Sequence, residues 1–92
     1  MIINVDLGAV KDCASQLAAA YSQMNGIRSR LTELNLQLKR SWNDDAMVDF
    51  TARYNQGMDY MLDMLIAIDG MESFLNEAED FYKETDEKFN EL

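Results

Sequence analysis

The chain has 92 residues, of which 48% are hydrophobic and 27% are charged, and its formal net charge is -9 at pH 7. These values are typical of one folded domain, which we expect to span residues 1–92. So acidic a surface repels phosphate groups, which disfavours nucleic-acid binding and electrostatic membrane binding. No apolar run reaches the roughly 20 residues of a membrane span, so we expect no stable membrane insertion.

Residues that carry catalysis or bind metals are nearly absent. The chain has no histidine, so it lacks both a nucleophile–histidine pair and an imidazole metal ligand. Its four glycines are scattered and form no phosphate-binding loop. The acids Asp44, Asp45 and Asp49 lack the spacing of a calcium loop. We therefore predict a non-enzymatic protein with no catalytic residue, cofactor or metal site.

The single cysteine, Cys13, has no partner for an internal disulfide. Its neighbours Ala9 and Ala14 favour a small, buried, inert side chain. An intermolecular bridge or a reactive thiol is the alternative interpretation.

The first part of the chain carries the spacing of one long helix, over about residues 7–40, with Asp6 as a plausible N-cap. Its apolar residues recur at steps of three and four and are Leu7, Val10, Ala14, Leu17, Tyr21, Met24, Ile27, Leu31, Leu34 and Leu38. Asn25-Gly26 is the one turn-like pair inside this stretch, and a break there would give a three-helix protein. Because the stripe resumes on the same face beyond Gly26, we expect a continuous helix.

A bend over residues 41–45, with the sequence SWNDD, follows this helix and carries the only tryptophan. Before it, Lys39 and Arg40 place cations at the negative end of one helix dipole. Within it, Asp44 and Asp45 place anions at the positive end of the next dipole. The chain has no proline to end either helix early, so we predict an all-α fold, an antiparallel two-helix hairpin.

The second helix is predicted over about residues 45–88. One apolar stripe comprises Met47, Phe50, Tyr54, Met58, Met61, Leu65, Ile68, Met71, Leu75, Ala78 and Tyr82. An adjacent second stripe comprises Tyr60, Met64, Ala67, Phe74 and Phe81. From Met58 to Ile68 the only charged residues are Asp59 and Asp63, which share one narrow face. Such a helix has to be covered on more than one side.

One partner helix cannot cover both stripes, so the sequence predicts that two hairpins pair. The simplest result is a four-helix-bundle dimer, a thin rod whose helices are about 50–60 Å long. We expect the dimer interface to include the apolar middle of the second helix: Met58, Met61, Met64, Leu65, Ile68 and Met71. Methionine adapts to varied partners, although simple core filling is its commoner role.

Two features are candidates for recognition by other proteins. Trp42 at the bend is either a hydrophobic plug for the end of the bundle or a recognition element, and both roles are compatible. Tyr82 and Asp86 stand four residues apart and share a helix face, although a core tyrosine followed by a solvated acid is the simpler interpretation.

Taken together, these features resemble the WXG family, the small early-secreted-antigen-like substrates of type VII secretion in Gram-positive bacteria. The resemblance covers the whole chain, including the segments INVD (residues 3–6), SWNDDA (residues 41–46) with Phe50, and YKETD (residues 82–86). The family has a Trp-x-Gly bend and a Tyr-x-x-x-Asp/Glu signal near its end. Here Asp44 replaces the bend glycine.

The resemblance implies a secreted protein, exported without a cleaved leader from a cytoplasmic pool and possessing a role in virulence or in competition between bacteria. It implies recognition of a folded homodimer or heterodimer of related hairpins by a secretion ATPase. Trp42, Asn43 and Asp44 of one hairpin would form a composite signal with Tyr82 and Asp86 of its partner.

A cytosolic adaptor or chaperone that targets a larger helical toxin to the secretion machinery is the alternative from a different class. A membrane-disrupting activity is poorly supported because the net charge is strongly negative.

Overall fold

A computed structural model describes the backbone of residues 5–90 and the side chains of residues 5–85. Within this part of the chain, helix α1 (Leu7–Ser41) and helix α2 (Asp45–Asn90) pack antiparallel as a hairpin. The predicted all-α hairpin is thus confirmed. Ile3 and Asn4 lie outside the described residues, and so does the side chain of Asp86.

The hairpin is a thin rod whose Cα atoms extend over 73 × 19 × 15 Å. The expected helix length of 50–60 Å was too short for α2, whose 46 residues at about 1.5 Å each span roughly 70 Å. The hydroxyl of Tyr54 on α2 lies 3.4 Å from that of Thr32 on α1. This register brings the start of α1 level with about Glu79, so α2 continues beyond its partner helix.

Helix α1 is continuous, and the three-helix alternative is wrong. Asn25 and Gly26 lie within its 35 residues, and no residue from 5 to 90 has a positive φ angle. Asp6 caps the helix as predicted, since its Oδ1 accepts a hydrogen bond of 3.1 Å from the Ala9 amide. Both helices begin at the predicted residues and end one or two residues later than predicted.

The two helices meet along one seam with an unbroken heptad spacing. On α1 the seam comprises Leu7, Val10, Ala14, Leu17, Tyr21, Met24, Arg28, Leu31, Asn35 and Leu38. On α2 it comprises Met47, Thr51, Tyr54, Met58, Met61, Leu65, Ile68, Glu72, Leu75, Glu79 and Tyr82. Alternating steps of three and four keep such a row facing a partner helix along its whole length.

The predicted α1 stripe is wrong at two positions near the bend. Ile27 and Leu34 are 52% and 51% exposed, whereas Arg28 is half-buried and Asn35 is buried at 7%. The alternating steps of three and four in the rest of the seam place Arg28 and Asn35, rather than Ile27 and Leu34, against α2. On α2, Met71 was likewise expected in the stripe but is half exposed, and Glu72 occupies the seam.

These polar seam residues leave hydrogen-bonding groups unsatisfied. The Oδ1 atom of Asn35 and the Nε atom of Arg28 are buried and have no hydrogen-bond partner in the structure. At the end of the hairpin opposite the bend, Glu79 is buried but forms an ion pair of 2.9 Å with Lys83. A buried unpaired polar atom costs about 1–3 kcal/mol, so the seam is weakest at Arg28 and Asn35.

The hydrophobic core of one hairpin is correspondingly small. Among the described residues, the buried apolar side chains are Ala14, Met47, Leu65 and Ile68. No large side chain in this part of the chain is fully buried. The expectation that Cys13 is buried is wrong: it is exposed, because it precedes the seam residue Ala14 and therefore lies beside the seam.

Replacing Asn35 with Leu should stabilise the hairpin by about 1 kcal/mol or more, because it removes an unpaired buried carbonyl and adds apolar contact. Urea unfolding followed by circular dichroism would measure this gain. Asn25→Leu is the matched control, since Asn25 is exposed on the same helix and its replacement should change stability by less than about 0.5 kcal/mol. A destabilised Asn35→Leu protein would contradict the assignment of the seam.

Candidate recognition surfaces at the bend and on one face

The bend is built around Trp42, which ends α1 in an extended conformation (φ -134°, ψ 113°). Its ring centroid lies 6.1 Å from that of Phe50 at an interplanar angle of 42°, and Phe50 stacks on Tyr54 at 6.5 Å. The hydroxyl of Tyr54 in turn donates to Thr32 on α1. This row of rings fixes the indole against α2.

Trp42 is only partly buried by these contacts, and its neighbour Asn43 is exposed. The indole is therefore placed in a way that is compatible with both roles that the sequence suggested, and its recognition role stays a prediction. One part closes the end of the hairpin, and the other part remains accessible to a partner protein.

Asp44 has a definite structural role as the N-cap of α2. Its Oδ1 accepts a hydrogen bond of 2.9 Å from the Ala46 amide, and its carbonyl oxygen accepts one of 3.1 Å from the Met47 amide. Because the bend contains no positive φ angle, glycine's conformational freedom is not needed at this position. The replacement of the family's glycine by Asp44 thus caps the helix and adds an exposed carboxylate.

The second predicted signal lies at the opposite end of the rod. Tyr82 is half-buried in the seam. Its ring centroid lies 5.3 Å from that of Phe81 in an edge-on arrangement, and Phe81 is 61% exposed. Tyr82 lies 37 residues beyond Asp45, the first residue of α2, or about 55 Å along the helix axis. The bend and the Tyr82 region of one chain therefore cannot meet. The position of the Asp86 side chain lies outside the described residues.

A continuous apolar surface runs along one side of the hairpin, and we call it the open face. Its residues each precede a seam residue by one position, so they project to the same side of the seam on each helix. On α1 they are Cys13, Ala20, Ile27 and Leu34. On α2 they are Tyr60, Met64, Ala67, Met71, Phe74 and Phe81.

Two shallow grooves show that both helices contribute to the open face. The first, about 490 Å³ in volume, is wholly apolar and is lined by Cys13, Leu17, Ala67, Gly70, Met71, Phe74 and Leu75. The second, about 500 Å³, is lined by Leu31, Phe50, Arg53, Tyr54, Gly57, Met58, Tyr60 and Met61. A Cβ atom added at Gly57 or Gly70 would meet no atom within 4 Å other than its chain neighbours and its own helix backbone, so the space above both glycines is open to side chains of a partner protein.

The structure divides the six residues of the predicted dimer interface into two groups. Leu65 is 3% exposed and Ile68 is 8% exposed, so both are already used within the hairpin seam, where Met58 and Met61 are half-buried. Met64 and Met71 are half exposed on the open face. The seam residues cannot form most of a second interface.

Several exposed apolar residues of the open face were absent from that predicted interface: Ile27, Leu34, Tyr60, Phe74 and Phe81. Phe74, at 69%, is among the most exposed of them. The signal that identifies them is their position one residue before each seam residue. Tyr60, Phe74 and Phe81 belong to the second stripe that the sequence already indicated, whereas Ile27 and Leu34 can be assigned only when the phase of the seam is known.

The described residues include no helix that is both long and apolar enough to cross a membrane. The same part of the chain contains no cluster of three or more cysteine or acidic side chains arranged to hold a metal ion.

The cap assignment predicts how substitutions at Asp44 affect stability. Asp44→Ala should destabilise the hairpin by about 1 kcal/mol because α2 loses a side-chain acceptor, whereas Asp44→Gly should cost only a few tenths of that. Chemical denaturation would measure both changes, with Asn43→Ala as a neighbouring exposed control. If alanine were tolerated as well as glycine, the cap would have no energetic role.

Comparison with known proteins identifies the family of this hairpin. The family model WXG100, described as proteins of 100 residues with WXG, matches residues 2–87. No curated protein and no solved structure matches the chain. The match covers both helices and the bend, although the motif reads Trp42-Asn43-Asp44. The chain therefore belongs to the WXG100 family of small, non-enzymatic helical proteins, which are substrates of type VII secretion.

Proposed function

We propose that this protein is exported by a type VII secretion system as a folded dimer of two helical hairpins. The observation that carries the proposal is the open face, which one hairpin leaves exposed along α2. Export starts from a cytoplasmic pool, and the receptor is the secretion ATPase.

The open face supports the dimer because it exposes large apolar side chains to water, which is unfavourable in free energy. Met64 and Met71 are each about half exposed, and Tyr60, Phe74 and Phe81 are more exposed still. Contiguous apolar surfaces of this kind mark interfaces in soluble proteins. A second hairpin laid on this face would complete a four-helix bundle and bury them.

The geometry of the two ends supports a composite export signal. Trp42 and Tyr82 lie about 55 Å apart in one chain, too far for a single binding site to contact both. In a head-to-tail pair, the bend of one hairpin lies beside the Tyr82 region of its partner. The ATPase would then bind Trp42, Asn43 and Asp44 of one hairpin together with Tyr82 and Asp86 of the other.

This arrangement makes export depend on the folded, paired state. Each hairpin supplies half of the signal at each end of the bundle, so an unpaired chain offers only an incomplete site. The partly exposed indole of Trp42 and the carboxylate of Asp44 supply an apolar contact and a negative charge at the bend.

An adaptor role is the second candidate function, and the open face favours it equally. A helical segment of a larger toxin could cover the same apolar surface in place of a second small hairpin. The protein would then act in the cytoplasm as a targeting partner. Stable co-purification with a toxin encoded nearby, and retention of the small chain in the cell, would favour this function.

Trp42→Ala and Tyr82→Ala should each abolish the appearance of the protein in the culture supernatant while helix content and dimerisation are retained. The reason is that each change removes an aromatic group from the composite signal but leaves the open face intact. Immunoblots of supernatant and cell fractions would measure export, and circular dichroism with sedimentation would check fold and pairing.

Val48→Ala is the matched control, because Val48 is an exposed apolar residue near the bend that does not belong to the open face. Its export should be unchanged. Normal export of both aromatic variants would overturn the proposed signal.

A further inference from the structure

We propose that the hairpin covering the open face carries basic residues along its flank and is a different protein from this chain. The inference rests on the proposed head-to-tail pairing and goes beyond it by naming the chemistry of the partner. It is argued from the charges that border the open face.

An acidic edge runs along the outer border of the open face on α2. It consists of Asp49, Asp63, Glu77 and Glu84, all exposed. Their separations are multiples of seven residues, so all four keep the same position relative to the heptad seam. Each immediately precedes a position that lies beside the seam, so the row borders the open face on the side away from the seam. It would flank an interface formed on the open face in the way that charged residues flank a coiled-coil seam.

The charges of α1 and α2 on this side of the hairpin differ. Among the described side chains of α2 on this side, the four edge acids are accompanied by one cation, Arg53, so their net charge is -3. On α1 the corresponding positions carry Asp12 and Glu33 against Arg30 and Arg40, a balance of zero. The border of the open face is therefore acidic along α2 and neutral along α1.

A second copy of this chain would fit the apolar surface but not these charges. A two-fold axis that pairs two copies head to tail, face to face, sets α2 of one copy against α2 of the other. The two acidic edges then adjoin, and like charges in such flanking positions oppose pairing. A hairpin with Lys or Arg along its flank would instead form ion pairs with Asp63, Glu77 and Glu84.

The grooves define the remaining chemistry of the partner. The groove beside Gly70 is lined only by apolar residues, and the groove beside Gly57 is lined mainly by apolar residues. The space where a Cβ atom would stand is open at both glycines. Large apolar side chains spaced along a helix would fill them. The partner is thus an amphipathic hairpin with bulky apolar residues on one face and basic residues beside them.

The chain itself supplies a probe for this chemistry. An edge variant carries Asp63→Lys, Glu77→Lys and Glu84→Lys, and a control variant carries Asp59→Lys, Asp69→Lys and Asp80→Lys. The control acids are exposed on the same helix but do not belong to the acidic edge. Both triple changes add six positive charges to the net charge of -9 and leave -3. They therefore have equal effects on net charge and differ only in position.

Mixtures of labelled wild-type protein with each variant would be measured by sedimentation or fluorescence energy transfer, after circular dichroism has shown equal helix content. The wild type should bind the edge variant about tenfold more tightly than it binds itself, since each flanking pair contributes about a factor of two. The control variant should stay within about threefold of wild-type self-association.

Salt dependence gives a second readout, and its wild-type arm requires no variant. Raising NaCl from about 50 mM to about 500 mM should strengthen wild-type self-association and weaken the mixed pair, because screening acts on repulsion in one and attraction in the other.

A tight wild-type homodimer that salt does not strengthen would overturn the proposal. Equal binding of the edge and control variants, or no binding of either, would overturn it as well. The export assay on Trp42 and Tyr82 tests the secretion function separately, because it does not depend on which hairpin covers the open face.

Discussion

The structure depends on one constraint: a two-helix hairpin has a single seam, and a single seam can cover only one side of each helix. Leu65 and Ile68 are buried there, but the adjacent row of α2 that includes Met64 and Phe74 has no helix against it. Apolar burial is the main favourable term in folding, and one hairpin realises only part of what its sequence offers. In the proposed dimer a second hairpin supplies the missing layer, and folding and association are then coupled.

The distribution of polar residues strengthens this coupling. The seam contains Arg28 and Asn35, each with an unpaired buried atom, while Ile27 and Leu34 beside them are exposed. A sequence selected for an independent hairpin would place the apolar residue of each pair in the seam. Here the apolar residues lie on the open face instead. The chain thus weakens its internal interface and strengthens the surface that it offers to a partner.

The helices could be predicted from local chemistry, but the register of the seam could not. Asp6 and Asp44 indicate where the helices begin, because their side chains accept hydrogen bonds from backbone amides of the first turn. Between Met24 and Leu31, however, a helical stripe can pass through either Ile27 or Arg28. The apolar character of Ile27 favours it, although the seam contains Arg28. Only the packing of the whole seam against α2 decides between them. At Cys13 the predicted stripe was right, since it contained Ala14, and the error came from taking small neighbours as a sign of burial.

The concentration dependence of thermal unfolding of the isolated chain tests the central claim most directly. If covering the open face stabilises the fold, the midpoint measured by circular dichroism should rise steadily as the protein concentration is raised from about 1 µM to about 100 µM, because unfolding then includes dissociation. The measurement is made in about 500 mM NaCl, which screens the repulsion between the acidic edges of two copies. A fully helical monomer that unfolds at the same temperature over this range would contradict the account.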